Sequence, residues 1–299
     1  MRLEHFMAAH ALRTPNKYAV LVGEQRLTYG ELLISSRWTA AGLRRAGVVQ
    51  GDRIVVYLPN CTEFVQLAYA AFTIGAIVIP VNTRNTPSEL VYFCQDSQAR
   101  VLVFHREDAA ALQEVAADLP DMRTIMVGDV VGDAGDLVRT ALPFKHLLTP
   151  SDEQLEEPSL AADEAMILYT SGTTGKPKGA VLTHANFVIG NAFVNTVEWG
   201  VTANDVFLVT TPLAHRTGLA RMMNSMCLGG KLVVMERFNA AAAIETIERE
   251  QVTAAGMVPT VARMLMPLLE QQASRCASLR HIIVTGEAFP IELKLKMIA

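Results

Sequence analysis

Tyr169-Thr170-Ser171-Gly172-Thr173-Thr174-Gly175-Lys176-Pro177-Lys178-Gly179 is the stretch on which the reading of this 299-residue chain turns. It comes after an apolar run, Met166 to Tyr169, and precedes a segment with helical character from about His184. Four Thr and Ser hydroxyls, three glycines and two lysines fall within it. Glycine lets backbone N–H groups turn toward an anion, and the hydroxyls add donors. If the run is extended, Lys176 and Lys178 project to the same side and meet phosphate oxygens as point charges. Each such charge-assisted bond contributes about 1.5–3 kcal/mol, so several together hold a polyphosphate. The run is not a Walker loop, because only two residues separate Gly172 from Gly175 and Lys176 is followed by Pro177 rather than Ser or Thr. A merely flexible polar loop does not account for so many donors directly after a buried strand.

Outward from this run, apolar β-branched segments alternate with helical patterns. Strands are expected at Ile54 to Leu58, Ile77 to Val81, Val101 to Phe104, Thr124 to Val127, Met166 to Tyr169, Val206 to Thr210, Leu232 to Met235 and Ile282 to Thr285. They are continuously hydrophobic rather than alternating, as strands covered on both faces are. Helix starts are readable between them. Thr28-Tyr29-Gly30-Glu31 and Thr86-Pro87-Ser88-Glu89 fit the capping box, Asn239 caps a helix over Ala240 to Glu250, and Thr260 begins one through Gln271. The expected class is α/β, with mostly parallel sheets flanked by helices. Between Asp152 and Glu164 six acids and no Lys or Arg surround Pro158. That stretch reads as a solvated connector between the first parallel unit and the strand at Met166.

Composition narrows the function. Hydrophobic residues at 51% and charged residues at 19% exclude intrinsic disorder. Thirty acids against 26 Lys plus Arg give a net charge of -4, which offers no footprint for nucleic acid. Cys61, Cys94, Cys227 and Cys276 show no zinc or disulfide spacing, so reduced, mostly buried thiols and a cytoplasmic location are expected. Phe64 to Thr83 carries no charge and is long enough to span a bilayer, but Gly75, Pro80 and three polar residues interrupt it. A buried helix that turns at Gly75 into a core strand explains it better than a transmembrane segment.

The loop 169–179 resembles the phosphate loop of the adenylate-forming (AMP-binding) superfamily, which includes acyl-CoA synthetases, aryl-CoA ligases, luciferase and peptide-synthetase adenylation domains. Leu27-Thr28-Tyr29-Gly30-Glu31-Leu32 resembles an early helix signature of that superfamily, and Gly75 to Arg84 a later strand. Pro212-Leu213-Ala214-His215-Arg216-Thr217-Gly218 resembles its acyl-pocket segment, and Thr285-Gly286-Glu287-Ala288 its adenine loop. The resemblance covers the whole chain in order. It implies two interleaved subdomains, roughly residues 51–184 and residues 1–50 with 185–299, within an incomplete N-terminal AMP-binding domain.

The activity implied is that of an acyl-CoA ligase. A carboxylate attacks the α-phosphate of Mg-ATP to give an acyl-adenylate, and coenzyme A then displaces AMP. By resemblance, Thr170, Ser171, Gly172, Thr173, Thr174, Gly175, Lys176, Pro177 and Lys178 hold the phosphates, and the Thr170 hydroxyl contacts magnesium. Gly286, Glu287 and Ala288 pack against adenine, and His215 borders the acyl carboxylate together with Arg216, Thr217, Gly218 and Met222. Arg216 either meets a second carboxylate or points into solvent. Met222, Met223 and Met226 are ordinary core or tunnel wall, and His184 orients the loop. Lys178 and His215, with Thr170, are the residues expected to act on the reacting groups.

The sequence stops at Ala299 inside a helix begun at Pro290, which suggests a fragment without ligase turnover of its own. Two alternatives remain at this level. An amino-acid adenylation domain would set an aspartate against the substrate ammonium, yet no Asp or Glu occurs between Val206 and Met235. A non-catalytic nucleotide-binding fragment is the other, and a homodimer stays open.

Overall fold

The computed structural model describes residues 1–129, 135–159, 163–170, 176–286 and 288–298. Thirteen strands run through the described residues: β1 (Tyr18–Val22), β2 (Gln25–Thr28), β3 (Arg53–Tyr57), β4 (Ile77–Pro80), β5 (Val101–His105), β6 (Arg123–Val127), β7 (Leu142–Pro143), β8 (Glu164–Thr170), β9 (Lys178–Thr183), β10 (Val206–Val209), β11 (Lys231–Val234), β12 (Ala254–Met257) and β13 (His281–Val284). All eight expected strands are present. The chain packs as two units, each drawn from three stretches: Met1–Glu4, Glu31–Pro59 and Glu63–Asn186 in the first, His5–Gly30, Asn60–Thr62 and Phe187–Ala299 in the second.

The first unit holds a seven-stranded sheet ordered β7-β6-β5-β3-β4-β8-β9, in which every neighbouring pair is parallel except β8 and β9. Val55, Ile79, Leu102 and Phe104 from the strands pack with Leu90, Phe93 and Cys94 of the Pro87–Asp96 helix. That helix starts as its sequence predicts. Thr86 accepts from the Glu89 N–H at 3.3 Å, Glu89 accepts from the Thr86 N–H at 2.7 Å, and Pro87 supplies the first turn. The charge-free stretch starts inside the Thr62–Thr73 helix, where Phe64 to Phe72 are all buried, and turns at Gly75 (φ 72°) into β4. Among the described residues no helix is long and apolar enough to cross a membrane.

The second unit holds a six-stranded sheet ordered β13-β12-β10-β11-β1-β2, parallel except for the β1–β2 hairpin. The Ala240–Glu250 helix is capped by Asn239, whose Oδ1 accepts from the Ala242 N–H at 3.0 Å. It packs Ala243, Ile244 and Ile247 into a core with Leu208, Val233 and Ala255. The next helix begins at Pro259 rather than Thr260, and its flanking residue Val258 offers no side-chain acceptor.

Two expectations need correction, and one gains a strand: the phosphate-type run joins β8 to antiparallel β9, and the helix expected from His184 follows. The acidic connector does not leave the first sheet, because β8 returns to it beside β4, pairing Met166 with Val78. Its Pro158 is buried, and a Cβ on Gly75 would approach Pro158 Cβ to 2.8 Å. Finally, residues 31–50 belong to the first unit rather than the second. Gly42, in the Tyr29–Arg45 helix, approaches Leu147 so closely that a Cβ would lie 2.7 Å from the Leu147 Cα.

Candidate functional site

In the first unit, the mouth of the β8–β9 hairpin sets Thr170 directly opposite Lys178, and both are exposed. Ser171, Gly172, Thr173, Thr174 and Gly175 lie outside the described residues, but the anchoring of the loop's neck is described. Tyr169 donates its hydroxyl hydrogen to Asp96 Oδ2 at 2.6 Å, and Tyr92 donates to the Pro177 carbonyl at 2.9 Å. The Lys176 ammonium sits 5.9 Å from the Tyr92 ring centroid, within cation–π range, so Lys176 is engaged by an aromatic face. Phe93 and Tyr169 complete the cluster at 4.7 Å between ring centroids. Tyr92 and Asp96 stand four residues apart and so share one face of their helix. Burial, reinforced by the Asp96 carboxylate, raises the Tyr169 phenol well above its ordinary pKa and keeps it a hydrogen-bond donor.

Reading the sequence missed Tyr92 and Asp96. The available signal was the tyrosine–aspartate spacing of four on the Pro87–Asp96 helix.

Thr170 offers one hard oxygen, and among the described residues no three His, Cys, Asp or Glu side chains converge on a metal position. That donor set fits a magnesium ion carried in on phosphate oxygens and keeping most of its water.

In the second unit, the segments at the carboxyl ends of β10 and β13 come together, where open parallel sheets place their ligand crevices. His215 caps the Arg216–Leu228 helix, its Nδ1 accepting from the Thr217 N–H at 3.3 Å. Desolvation by neighbouring protein atoms holds the His215 ring below its ordinary pKa, so it is neutral at pH 7, as a capping acceptor must be. The Thr217 and Thr285 hydroxyls hydrogen-bond, joining the expected acyl segment to the expected adenine loop. Gly286 comes next at φ 98°, a left-handed conformation that side chains rarely adopt. Ala288 is exposed, and Glu287 lies outside the described residues. Gly218 lets two backbones meet: a Cβ there would lie 2.5 Å from the Pro212 carbonyl oxygen and 2.9 Å from Leu213 Cα. Asn60, also missed in the sequence, holds this turn, accepting from the Leu213 N–H at 2.7 Å and donating to the Thr211 and Met235 carbonyls.

Arg216 is exposed, as one of its two readings expects, with its guanidinium 5.8 Å from the Phe187 ring centroid. Met222, Met223 and Met226 are fully buried, as core methionines are. Arg221 shares their helix and is only 2% exposed. Its Nε donates to Asn224 Oδ1 at 2.9 Å, and its guanidinium lies 5.6 Å from the Trp199 ring. Desolvation, and secondarily the Arg216 charge, pull its pKa down to about 10, so it stays cationic at pH 7. His184 is buried in the first unit, accepting from the Leu3 N–H at 3.2 Å and packing edge-on against Phe72. It holds the chain just beyond the hairpin, as the sequence suggests.

With this geometry in hand, the class is defined: the chain belongs to the AMP-binding enzyme family, whose pattern it matches over residues 7–299. Among its relatives is the 2-succinylbenzoate–CoA ligase of Bacillus licheniformis, 29% identical over 300 residues, which cover 98% of this chain and 57% of that protein. A feruloyl-CoA synthase from an Amycolatopsis species is 31% identical over 284 residues, 95% of this chain and 54% of the relative. The chain therefore spans about half the length of the curated relatives it matches. Among solved structures, the O-succinylbenzoate coenzyme A synthetase of Bacillus subtilis, in complex with AMP, superposes with a TM-score of 0.80 at 25% identity, covering 98% of this chain and 70% of that one.

Proposed function

We propose that the full-length protein is an AMP-forming acid–thiol ligase. The observation that carries this reading is the pairing of Thr170 with Lys178 at the mouth of the hairpin, in a chain of the AMP-binding family. A carboxylate oxygen attacks the α-phosphorus of ATP and pyrophosphate leaves; the sulfur of coenzyme A then attacks the acyl carbon and AMP leaves. Bound magnesium supplies charge neutralisation on the phosphates. The first step needs little else beyond in-line positioning and donors on the departing oxygens.

Thr170 and Lys178 grip the phosphates from the two strands, Ser171 to Gly175 add hydroxyl and backbone donors, and Lys176 with Pro177 fixes the loop to Tyr92. Gly286, Glu287 and Ala288 border adenine. His215, Arg216, Thr217 and Gly218 frame the acid, with Met222 behind them. Neutral His215 presents a ring nitrogen to the carboxylate without trapping it as an ion pair. The relatives named for 2-succinylbenzoate and ferulate support a carboxylic acid without an α-amino group, as does the absence of Asp and Glu between Val206 and Met235. Residues 1–299 on their own do not sustain acyl-CoA formation in this reading.

The test is ATP–pyrophosphate exchange by the full-length protein across a panel of acids. Exchange driven by aryl or aliphatic acids, followed by acyl-CoA formation, is expected. Exchange that responds to amino acids and to none of the others contradicts the proposal.

A further inference from the structure

Three arginines stand in a row across the amino ends of the first sheet. Arg53 opens β3, Arg100 directly precedes β5, and Arg123 opens β6. The backbone ties them in that order: the Arg100 N–H donates to the Arg53 carbonyl at 2.9 Å, and the Arg123 N–H to the Arg100 carbonyl at 3.0 Å. Neighbouring strands lie about 4.8 Å apart, so the row gathers three cations where like charges repel. Arg53 is accounted for, because its guanidinium donates to the Gly51, Ser97 and Gln98 carbonyls. Arg100 and Arg123 are in no ion pair among the described residues.

Both of these arginines line a cleft of about 470 Å³, room enough for a small organic ligand. Buried Val48 and Val101 line it as well, and apolar walls concentrate the field of the charges beside them. Thr124 adds a hydroxyl. The lining also carries the opposite sign. Asp121 borders the cleft and is likewise in no ion pair among the described residues. The carbonyl end of the Tyr29–Arg45 helix, the negative end of its dipole, reaches the cleft through Ala46 and Gly47. Such a lining suits a ligand with one anionic end and one end rich in hydrogen-bond donors. Because β3, β5 and β6 run parallel to β8 in the same sheet, the cleft lies at the opposite end of that sheet from the hairpin mouth.

We propose that this cleft binds a phosphorylated sugar, free or as part of a nucleotide, at a site distinct from the hairpin mouth. Arg100, Arg123 and Thr124 hold the phosphate, whose oxygens match the planar N–H forks of the two guanidiniums. The sugar hydroxyls donate to Asp121 and to the carbonyls at the helix end. The inference goes beyond the ligase reading and does not depend on it.

Calorimetric titration of the full-length protein with ribose 5-phosphate, ribose and inorganic phosphate tests the site without any turnover. Ribose 5-phosphate is expected to bind more tightly than either of the other two. Arg100→Met and Arg123→Met each weaken it at least about tenfold, the worth of one charge-assisted contact. Lys178→Met leaves it unchanged. Both arginines are exposed, so the melting midpoints of their variants stay at the wild-type value. Asp121→Asn reads the other end, lowering the preference for ribose 5-phosphate over inorganic phosphate. AMP separates the two sources: binding that Arg123→Met weakens marks a nucleotide site, and binding that it leaves intact, while ribose 5-phosphate is lost, marks a site for the free sugar phosphate. Undetectable binding of ribose 5-phosphate, binding no tighter than that of ribose, or a loss caused by Lys178→Met and not by the arginine variants overturns the proposal.

Discussion

His215 is held to one protonation state by its place at a helix start. As the cap of the Arg216–Leu228 helix it must offer a lone pair to the Thr217 N–H, so it must be neutral. Its folded pKa lies below the unfolded value of about 6.5. Its contribution to stability is therefore complete above pH 6.5 and is lost as pH falls through the lower folded value. His215→Asn, which keeps a capping acceptor that does not titrate, should lose less thermal stability than wild type between pH 7.5 and pH 5. Identical pH dependence of the two melting midpoints would contradict this. The loop lysines differ in the same residue-by-residue way. Both read as phosphate ligands in the sequence and both are exposed, yet Lys176 lies over the Tyr92 ring while Lys178 stands opposite Thr170. Nothing in the loop sequence announces the aromatic partner, which comes from a helix some eighty residues earlier.

At the scale of elements, legibility tracked burial. Strands such as Arg53–Tyr57 and Val101–His105 sit inside the first sheet, and their apolar β-branched runs say so. The missed strands had other reasons to exist. β12 is Ala-Ala-Gly-Met, with no β-branched residue, because Gly256 must make room for the Arg221 stem. β9 is an edge strand, exposed along most of its length, and its pairing with β8 supplies what its side chains do not. β1 and β2 turn at Gly23 (φ 55°) with only Gly23 and Glu24 between them, a hairpin signal left unread beside the Tyr29 helix start. Close approach also makes Gly218 testable. A methyl group there meets the Pro212 carbonyl and Leu213 Cα, both backbone, so the turn itself must move. Gly218→Ala should destabilise by about 1–3 kcal/mol and raise KM for the acid more than for ATP. An unchanged melting midpoint with unchanged KM would contradict it.

At the scale of the molecule, the first unit carries the hairpin mouth, and the second carries the segments that meet at the carboxyl ends of β10 and β13. The alternation of apolar runs with helical patterns anticipated the α/β class, and cysteine spacing the inert thiols: all four cysteines are free, and burial pushes Cys94 and Cys227 up to about 12, far from reactive thiolates. Neither could anticipate which stretch joins which unit, because residues 31–50 are assigned by close approaches such as Gly42 to Leu147, which no local pattern encodes. Function in this account depends above all on the hairpin mouth being a triphosphate cradle steadied from beneath by Tyr92. Calorimetric titration of the full-length protein with Mg-ATP tests it most directly. Lys178→Met should weaken binding at least about tenfold and Tyr92→Phe about threefold, in keeping with one charged and one neutral hydrogen bond. Wild-type affinity in both variants would contradict it.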